Sequence, residues 1–106
     1  MFETHAQKAK AKGQPYATIR KDVIRRVILS GRYKKLVCNY RYTDDYAWDA
    51  ENNFGKGELT REEAVKVAET WLKSGKGYDT RCYISVDEPN IVCIIPYRNL
   101  SYSLYV

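Results

Sequence analysis

The chain has 106 residues, a length that fits one ordinary domain and is too short for several. Its apolar fraction of 44% and charged fraction of 29% are those of a globular protein with a hydrophobic core, which excludes a disordered or fibrous chain. The net charge is +5, yet residues 1–42 hold eleven Lys and Arg against two acidic residues, whereas residues 43–63 hold two against seven. One part of the surface can therefore attract a polyanion that another part repels.

The chain begins with a basic segment, residues 1–14, that has few apolar residues to anchor it. We therefore expect an N-terminal arm that frays, followed by a single domain over residues 15–106. Pro15 stands where the first residue of a helix belongs, and Gly31 is a typical helix end. Between them an apolar stripe of helical period predicts an amphipathic helix. The members of this stripe are Ile19, Val23, Ile24, Val27 and Ile28.

The polar side of this predicted helix is basic, and it carries Arg20, Lys21, Arg25 and Arg26. Asp22 is the only acidic residue close to them in the sequence, so an anionic partner would supply the missing negative charge. The alternative is an ordinary solvated helix face. We interpret the four basic residues as candidates for binding nucleic acid or another anionic partner.

The period of the sequence changes to two over residues 33–42, which predicts a half-buried strand. Leu36 and Cys38 lie on its apolar side. Lys35 and Arg41 lie on the opposite side, so the sequence predicts that the exposed face of the sheet is basic as well. Both residues therefore join the candidate set for binding nucleic acid or an anionic partner.

Residues 43–59 form a long connection, and long connections without secondary structure are often functional. This one combines acidic and large aromatic residues, namely Asp44, Asp45, Tyr46, Trp48, Asp49 and Glu51. An exposed aromatic residue among charges is typical of a protein-binding hot spot. We therefore predict that these six residues contact a protein, in particular a basic groove that otherwise holds nucleic acid. The alternative is that Tyr46 and Trp48 close the end of the core.

Thr60 and Glu63 have the spacing of a capping box, which predicts a helix that starts there and ends at Gly75. An apolar stripe along it predicts one buried side, made of Ala64, Val67, Ala68, Trp71 and Leu72.

The last third of the chain predicts three strands, over residues 81–86, 91–95 and 101–106. Residues 87–90 form a predicted turn, and Pro96 is expected to end the middle strand. The order of elements is then helix, strand, helix and three strands. It predicts an α+β fold in which two helices pack on one face of a mainly antiparallel four-stranded sheet, and the other face stays open.

The residue types that catalysis needs are missing or badly spaced. The only histidine, His5, lies in the predicted arm, so no base stands beside a nucleophile. The acidic residues after Asp49 alternate as in a calcium loop, but Phe54 and Thr60 occupy the positions that require Gly and Glu. We expect no catalytic residue, no metal and no cofactor, and a small metal-dependent nuclease is the alternative.

The three cysteines, Cys38, Cys82 and Cys93, lie in predicted strands. Their odd number and the lack of a C-x-x-C pair argue against a disulfide or zinc framework. We expect three buried, reduced thiols and a cytoplasmic protein. No apolar run is long enough to span a membrane and no signal segment is evident, so we expect no membrane association.

These patterns favour a small, basic, non-catalytic binding module that acts on nucleic acid or on a protein that handles nucleic acid. Regulators or inhibitors of host defence nucleases, encoded by phages or mobile elements, are one class of such modules. The ten tyrosines, combined with a basic sheet, follow the general logic of surfaces that stack single-stranded RNA. The alternative is a structural or subunit-interface domain of a larger assembly, and no small-molecule substrate is indicated.

Overall fold

The computed structural model describes residues 1–39, 57–74, 79–97 and 100–106. In these residues the chain forms three helices and five strands. The elements are α1 (Glu3–Ala11), β1 (Tyr16–Ile19), α2 (Lys21–Ser30), β2 (Lys35–Cys38), α3 (Arg61–Trp71), β3 (Arg81–Ser85), β4 (Glu88–Tyr97) and β5 (Leu100–Tyr105).

The five strands form one sheet in the order β1-β3-β4-β5-β2, in which every neighbouring pair is antiparallel. The buried side chains of the helices and of one sheet face form a single hydrophobic cluster, so the helices cover one face of the sheet. The predicted α+β class is therefore confirmed, and the sheet has one strand more than the four that the sequence predicted.

The additional strand is β1, which occupies residues that the sequence assigned to the start of the first predicted helix. Its four residues alternate between exposed and buried positions and pair with β3. The helical stripe that begins at Ile19 hides this short alternation in the sequence. α2 starts only at Lys21. Gly31 follows its last residue and stops the helix as predicted, with a left-handed φ of 75° that glycine adopts without strain.

The N-terminal segment is a packed helix, where the sequence suggested a frayed arm. Phe2, Ala6 and Ala9 lie on one side of α1 and belong to the common core. Phe2 is 3% exposed, and its ring meets that of His5 edge-on with centroids 5.8 Å apart. Because alanines bury little area, Phe2 supplies most of the apolar surface that docks α1.

α2 and α3 pack against each other and against the sheet. Ile24 and Ile28 of α2 are fully buried, whereas Val23 and Val27, also part of the predicted stripe, lie at the margin of the core. Within the predicted stripe, the isoleucines therefore form the buried centre and the valines its border.

α3 follows the sequence prediction closely. The Glu63 amide donates to the Thr60 hydroxyl at 3.2 Å, and the Thr60 amide donates to the Glu63 carboxylate at 2.9 Å. This reciprocal capping box fixes the first turn. The predicted end at Gly75 lies outside the described residues. The predicted apolar stripe is buried, and its members are Ala64, Val67, Ala68, Trp71 and Leu72.

Arg61, the first residue of α3, joins the two helices at their ends. Its guanidinium donates to the main-chain oxygens of Ile28 and Leu29, the latter at 2.7 Å. The last carbonyls of a helix lack partners within the helix, and a cation there complements the helix dipole. Arg61 therefore caps the C-terminus of α2.

β4 is longer than the sequence predicted. The turn before it is confined to residues 86–87, so residues 88–90 belong to the strand and not to a turn. Pro96 does not end the strand either, because it lies where the β4–β5 pair shifts its register. Such a bulge is one of the few places where a sheet tolerates proline.

The two edges of the sheet differ. At the β2 edge, Gly57–Leu59 runs alongside as a further backbone partner. The Cys38 amide donates to the Gly57 oxygen and the Leu59 amide to the Leu36 oxygen, both at 2.8 Å. β1 forms the other edge, and β3 is its only backbone partner among the described residues.

Candidate nucleic-acid interface

The face of the sheet that points away from the core is lined by side chains that alternate with the buried ones; we call it the open face. The apolar residues of the described helices pack into the core and not onto this face. It combines aromatic, aliphatic and small polar side chains with two exposed cations. Its members are Tyr16, Thr18, Lys35, Val37, Asn39, Arg81, Tyr83, Ser85, Ile91, Cys93, Ile95, Ser101, Ser103 and Tyr105.

At one corner of the open face, β1, β3 and the start of α2 surround a groove of about 750 Å³, which we call the β1–β3 groove. Its volume lies in the range of ~300–1,000 Å³ that is usual for ligand sites. Of the residues that the structure describes, three basic ones, Arg20, Lys21 and Arg81, line it together with one acidic residue, Asp79. The excess of positive charge favours an anionic ligand.

Arg20 precedes the first turn of α2 and pairs with Asp22 in that turn. Its guanidinium donates to the two oxygens of the Asp22 carboxylate, at 3.1 and 2.6 Å, and these hydrogen bonds lower the pKa of Asp22. The Arg20 side chain is 78% exposed, so water screens the pair and leaves the guanidinium accessible to a phosphate. The N-terminus of α2 adds the positive end of the helix dipole to the same groove.

Thr80 places a buried hydroxyl in the wall of the β1–β3 groove. The residue is 8% exposed, and its Oγ1 has no hydrogen-bond partner in the described part of the chain. A buried hydroxyl without a partner costs free energy. Thr80 therefore belongs to the packed wall of the groove, and its hydroxyl is not accessible to a ligand.

Two tyrosines connect the groove to the open face. The rings of Tyr16 and Tyr83 meet edge-on, with centroids 5.3 Å apart and an interplanar angle of 73°. Tyr16 is 57% exposed, so its ring offers a stacking surface. Bases of single-stranded nucleic acid stack on aromatic side chains in this way, largely independently of sequence.

Lys35 is exposed on the open face, the position that the sequence predicted for it. Its ammonium lies 4.6 Å from the centroid of the Tyr105 ring, which belongs to its cross-strand neighbour on β5. β2 and β1 are four strand spacings apart, or roughly 19 Å. The open face thus carries a cation and an aromatic ring at both of its ends.

The structure separates the four basic residues that the sequence placed on one helix face. Arg20 and Lys21 line the groove with Arg81. Arg25 instead pairs with Glu69 of α3 at 2.7 Å, which joins the two helices. Arg26 lies 3.6 Å from the Asp22 carboxylate and does not line the groove.

The remaining candidate residues cannot be placed on this surface. Arg41 lies outside the described residues. So do the six residues for which the sequence predicts a protein contact, and that prediction stays a prediction. These six are Asp44, Asp45, Tyr46, Trp48, Asp49 and Glu51.

Sequence reasoning missed several groups of this interface. The alternation of residues 81–86 puts Arg81 and Tyr83 on the side opposite to the core, so that signal could have identified both. Tyr16 could not be found in this way, because β1 is hidden by the helical stripe. Thr80 precedes its strand and carries no pattern that marks it as buried.

The cysteines differ in exposure, whereas the sequence suggested three buried thiols. Cys38 and Cys82 are buried, and Cys93 is half-buried on the open face opposite Tyr83. Burial raises the pKa of Cys82 to about 12. Burial also raises the pKa of Cys93, and a hydrogen bond with the Tyr83 side chain partly opposes that rise.

We expect a thiol reagent to label Cys93 first when the native protein is titrated at mildly alkaline pH. The thiolate is the reactive form, so labelling should speed up as pH rises towards the raised pKa of Cys93. Cys82 should resist labelling until the protein is denatured. Mass spectrometry of peptides checks the site, with Cys93→Ser as the control. Early modification of Cys82 would contradict the assignment of faces.

Two further properties bear on function. No group of three or more His, Cys, Asp and Glu within the described ranges is arranged to hold a metal ion. The described helices are all too short or too polar to cross a bilayer.

Comparisons with protein-family models, with curated proteins and with solved structures give no match to this chain. Function is therefore inferred from the geometry of the interface.

Proposed function

We propose that the protein is a non-catalytic module that binds single-stranded nucleic acid across the β1–β3 groove and the adjoining open face. The observation that carries this proposal is the meeting of two kinds of group around one groove. These are basic side chains and a pair of contacting tyrosines.

The basic residues would bind the phosphates. Arg81 and Arg20 present planar guanidinium groups that match phosphate oxygens, and Lys21 adds a positive charge at the start of α2. Phosphate contacts supply most of the affinity in sequence-independent binding, and they make it depend on salt. With three such contacts, the logarithm of affinity should fall with the logarithm of salt concentration with a slope of about −2 for a single strand.

The aromatic residues would bind the bases. Tyr16 is accessible at the mouth of the groove, and Tyr105 with Lys35 lies at the far end of the open face. A duplex keeps its bases stacked within the helix, whereas a single strand can lay them on a sheet. The arrangement therefore favours single strands over duplexes.

The alternative is that the module binds a protein that handles nucleic acid, as a regulator or inhibitor. Its predicted contacts are the acidic and aromatic residues between 44 and 51, which lie outside the described residues. The described surface carries basic and aromatic groups that suit nucleic acid directly, and this favours nucleic acid as the ligand.

Fluorescence anisotropy with labelled oligo(dT) and oligo(U) at about 50 mM salt tests the proposal. Tyr16→Ala should weaken binding about 5-fold to 150-fold, the range for one lost base stack of ~1–3 kcal/mol. Arg81→Ala should weaken it and make the salt slope less steep by about 0.7.

Arg26→Ala is the matched control, because it removes one positive charge of the same type from an exposed position outside the groove. It should change affinity and salt slope much less than Arg81→Ala does. Absence of binding at low salt, or equal effects of Arg26→Ala and Arg81→Ala, would rule out the groove as the binding site.

A further inference from the structure

The outer edge of β1 presents backbone groups that pair with nothing in the described residues. The Val86 amide donates to the Pro15 oxygen at 3.0 Å. This hydrogen bond identifies the residues of β1 that direct their peptide groups towards β3. In an antiparallel pair, alternate residues direct their peptide groups towards the partner and away from it. With Ala17 opposite Ile84, Ala17 bonds to β3, whereas Thr18 and its neighbour Tyr16 direct their N–H and C=O groups outward.

A second groove runs along this edge, between α1 and β1, with a volume of about 550 Å³; we call it the edge groove. Its floor is the chain from Gln14 to Thr18. Its wall is α1, which contributes His5, Lys8 and Lys12. Among the described residues that line it none is acidic, so these residues give the wall a net positive charge.

The opposite edge of the sheet shows that this opening is specific to β1. Gly57–Leu59 already occupies the outer side of β2 with two backbone hydrogen bonds. Unpaired strand edges attract other strands, and proteins usually cover them or place charges beside them. At β1 the neighbouring positive charges lie on α1, along the wall of the edge groove.

We propose that an extended acidic segment of a partner protein binds in the edge groove as a sixth strand beside β1. Its main chain pairs with the outward N–H and C=O groups of Tyr16 and Thr18. Side chains on one side of an extended segment repeat every second residue. Acidic side chains at that spacing face α1 and meet Lys8 and Lys12.

The charges on α1 distinguish this occupant from the two others that could lie there. A second copy of the chain, paired edge to edge, would bring the lysines of both α1 helices together and repel. Nucleic acid would satisfy the lysines, but it has no row of alternating donors and acceptors to match a strand edge. An acidic peptide satisfies both the backbone and the charges. This inference does not depend on the proposed function, because Lys8 and Lys12 do not line the β1–β3 groove.

The test uses the full chain and a fluorescein-labelled peptide in which Glu alternates with Val, with a peptide of alternating Lys and Val for comparison. The Glu peptide should bind, and the Lys peptide should not. Thr18→Pro removes an outward N–H and leaves the hydrogen bonds between β1 and β3 intact. An edge strand tolerates proline at a position whose N–H faces outward. It should weaken binding about fivefold to tenfold, the effect of one lost hydrogen bond.

A charge-reversal pair provides a second measurement that does not rely on proline being accommodated. Lys8→Glu combined with Lys12→Glu should lower the affinity for the Glu peptide by more than tenfold, since two attractions become repulsions. Lys10→Glu is the matched control, because Lys10 is exposed on the same helix and does not line the groove. It should change affinity less than twofold.

Three results would overturn the proposal. The first is failure of the Glu peptide to bind, or equal binding of the Lys peptide. The second is oligo(dT) binding that the Lys8 and Lys12 reversals weaken as strongly as peptide binding. The third is a dimer in light scattering that Thr18→Pro converts to monomer, which would make a second copy the occupant.

Discussion

Trp71→Ala should lower the free energy of unfolding by ~3–5 kcal/mol. Trp71 is 5% exposed at the end of α3, and its ring meets that of Tyr97 edge-on with centroids 5.6 Å apart. Truncation leaves a cavity between α3 and the end of β4 that the surrounding side chains fill only in part. A loss of this size is a large fraction of the ~5–15 kcal/mol that stabilises a typical domain.

Urea denaturation followed by far-ultraviolet circular dichroism measures this loss without relying on the fluorescence of the removed tryptophan. Trp71→Phe retains a ring against Tyr97 and should lose less stability than Trp71→Ala. Lys66→Ala is the control in the same helix, since Lys66 is exposed and its removal should change stability by at most about 0.5 kcal/mol. Equal midpoints for Lys66→Ala and Trp71→Ala would mean that Trp71 is not a core residue.

The elements that the sequence predicted best are those specified by neighbours in the chain. α3 has a capping box at Thr60 and Glu63 and an apolar stripe that fits one helical period, so its start and its buried side follow from local rules. The two faces of β2 follow from simple alternation, which put Leu36 inward and Lys35 outward. Such signals need no knowledge of the rest of the fold.

The elements that the sequence missed depend on partners far away in the chain. β1 is a strand because Tyr16–Ile19 pairs with β3, more than sixty residues later. Its four residues are too few for a clear alternation, and Ile19 also fits the stripe of the following helix. The sequence indicated a frayed arm at residues 1–14 because this segment has only Phe2 and two alanines to bury. The site on which these residues dock is formed by the folded core, so it cannot be recognised from the segment itself.

The candidate interface was predictable only in part for the same reason. The basic character of Arg20 and Lys21 is visible in the sequence, but their meeting with Arg81 results from the pairing of β1 with β3. In the sequence Arg25 is equivalent to Arg20 and Lys21. In the structure Glu69 of α3 supplies the counter-charge of Arg25 across the helix interface. The sequence thus indicated that this surface is basic, but it did not indicate which cations line the groove.

Phe2→Ala should release α1 from the sheet, because Phe2 is 3% exposed and provides most of the apolar area that docks the helix. Removal of a buried phenylalanine costs ~3–5 kcal/mol when the site cannot collapse. Here α1 can detach while the other elements stay folded. The expected effect is therefore local opening of residues 1–14, with at most a smaller loss in global stability.

Limited trypsin digestion measures this opening, because α1 contains Lys8 and Lys10 and is followed by Lys12. Cleavage requires a detached segment, so its rate follows the free energy of opening when reclosing is fast. A docking loss of ~3 kcal/mol should accelerate cleavage about a hundredfold. Gln7→Ala, an exposed position of the same helix, should leave the rate unchanged. Rapid cleavage of the wild-type protein at these lysines, unchanged by Phe2→Ala, would show that the N-terminal segment is the frayed arm that the sequence suggested.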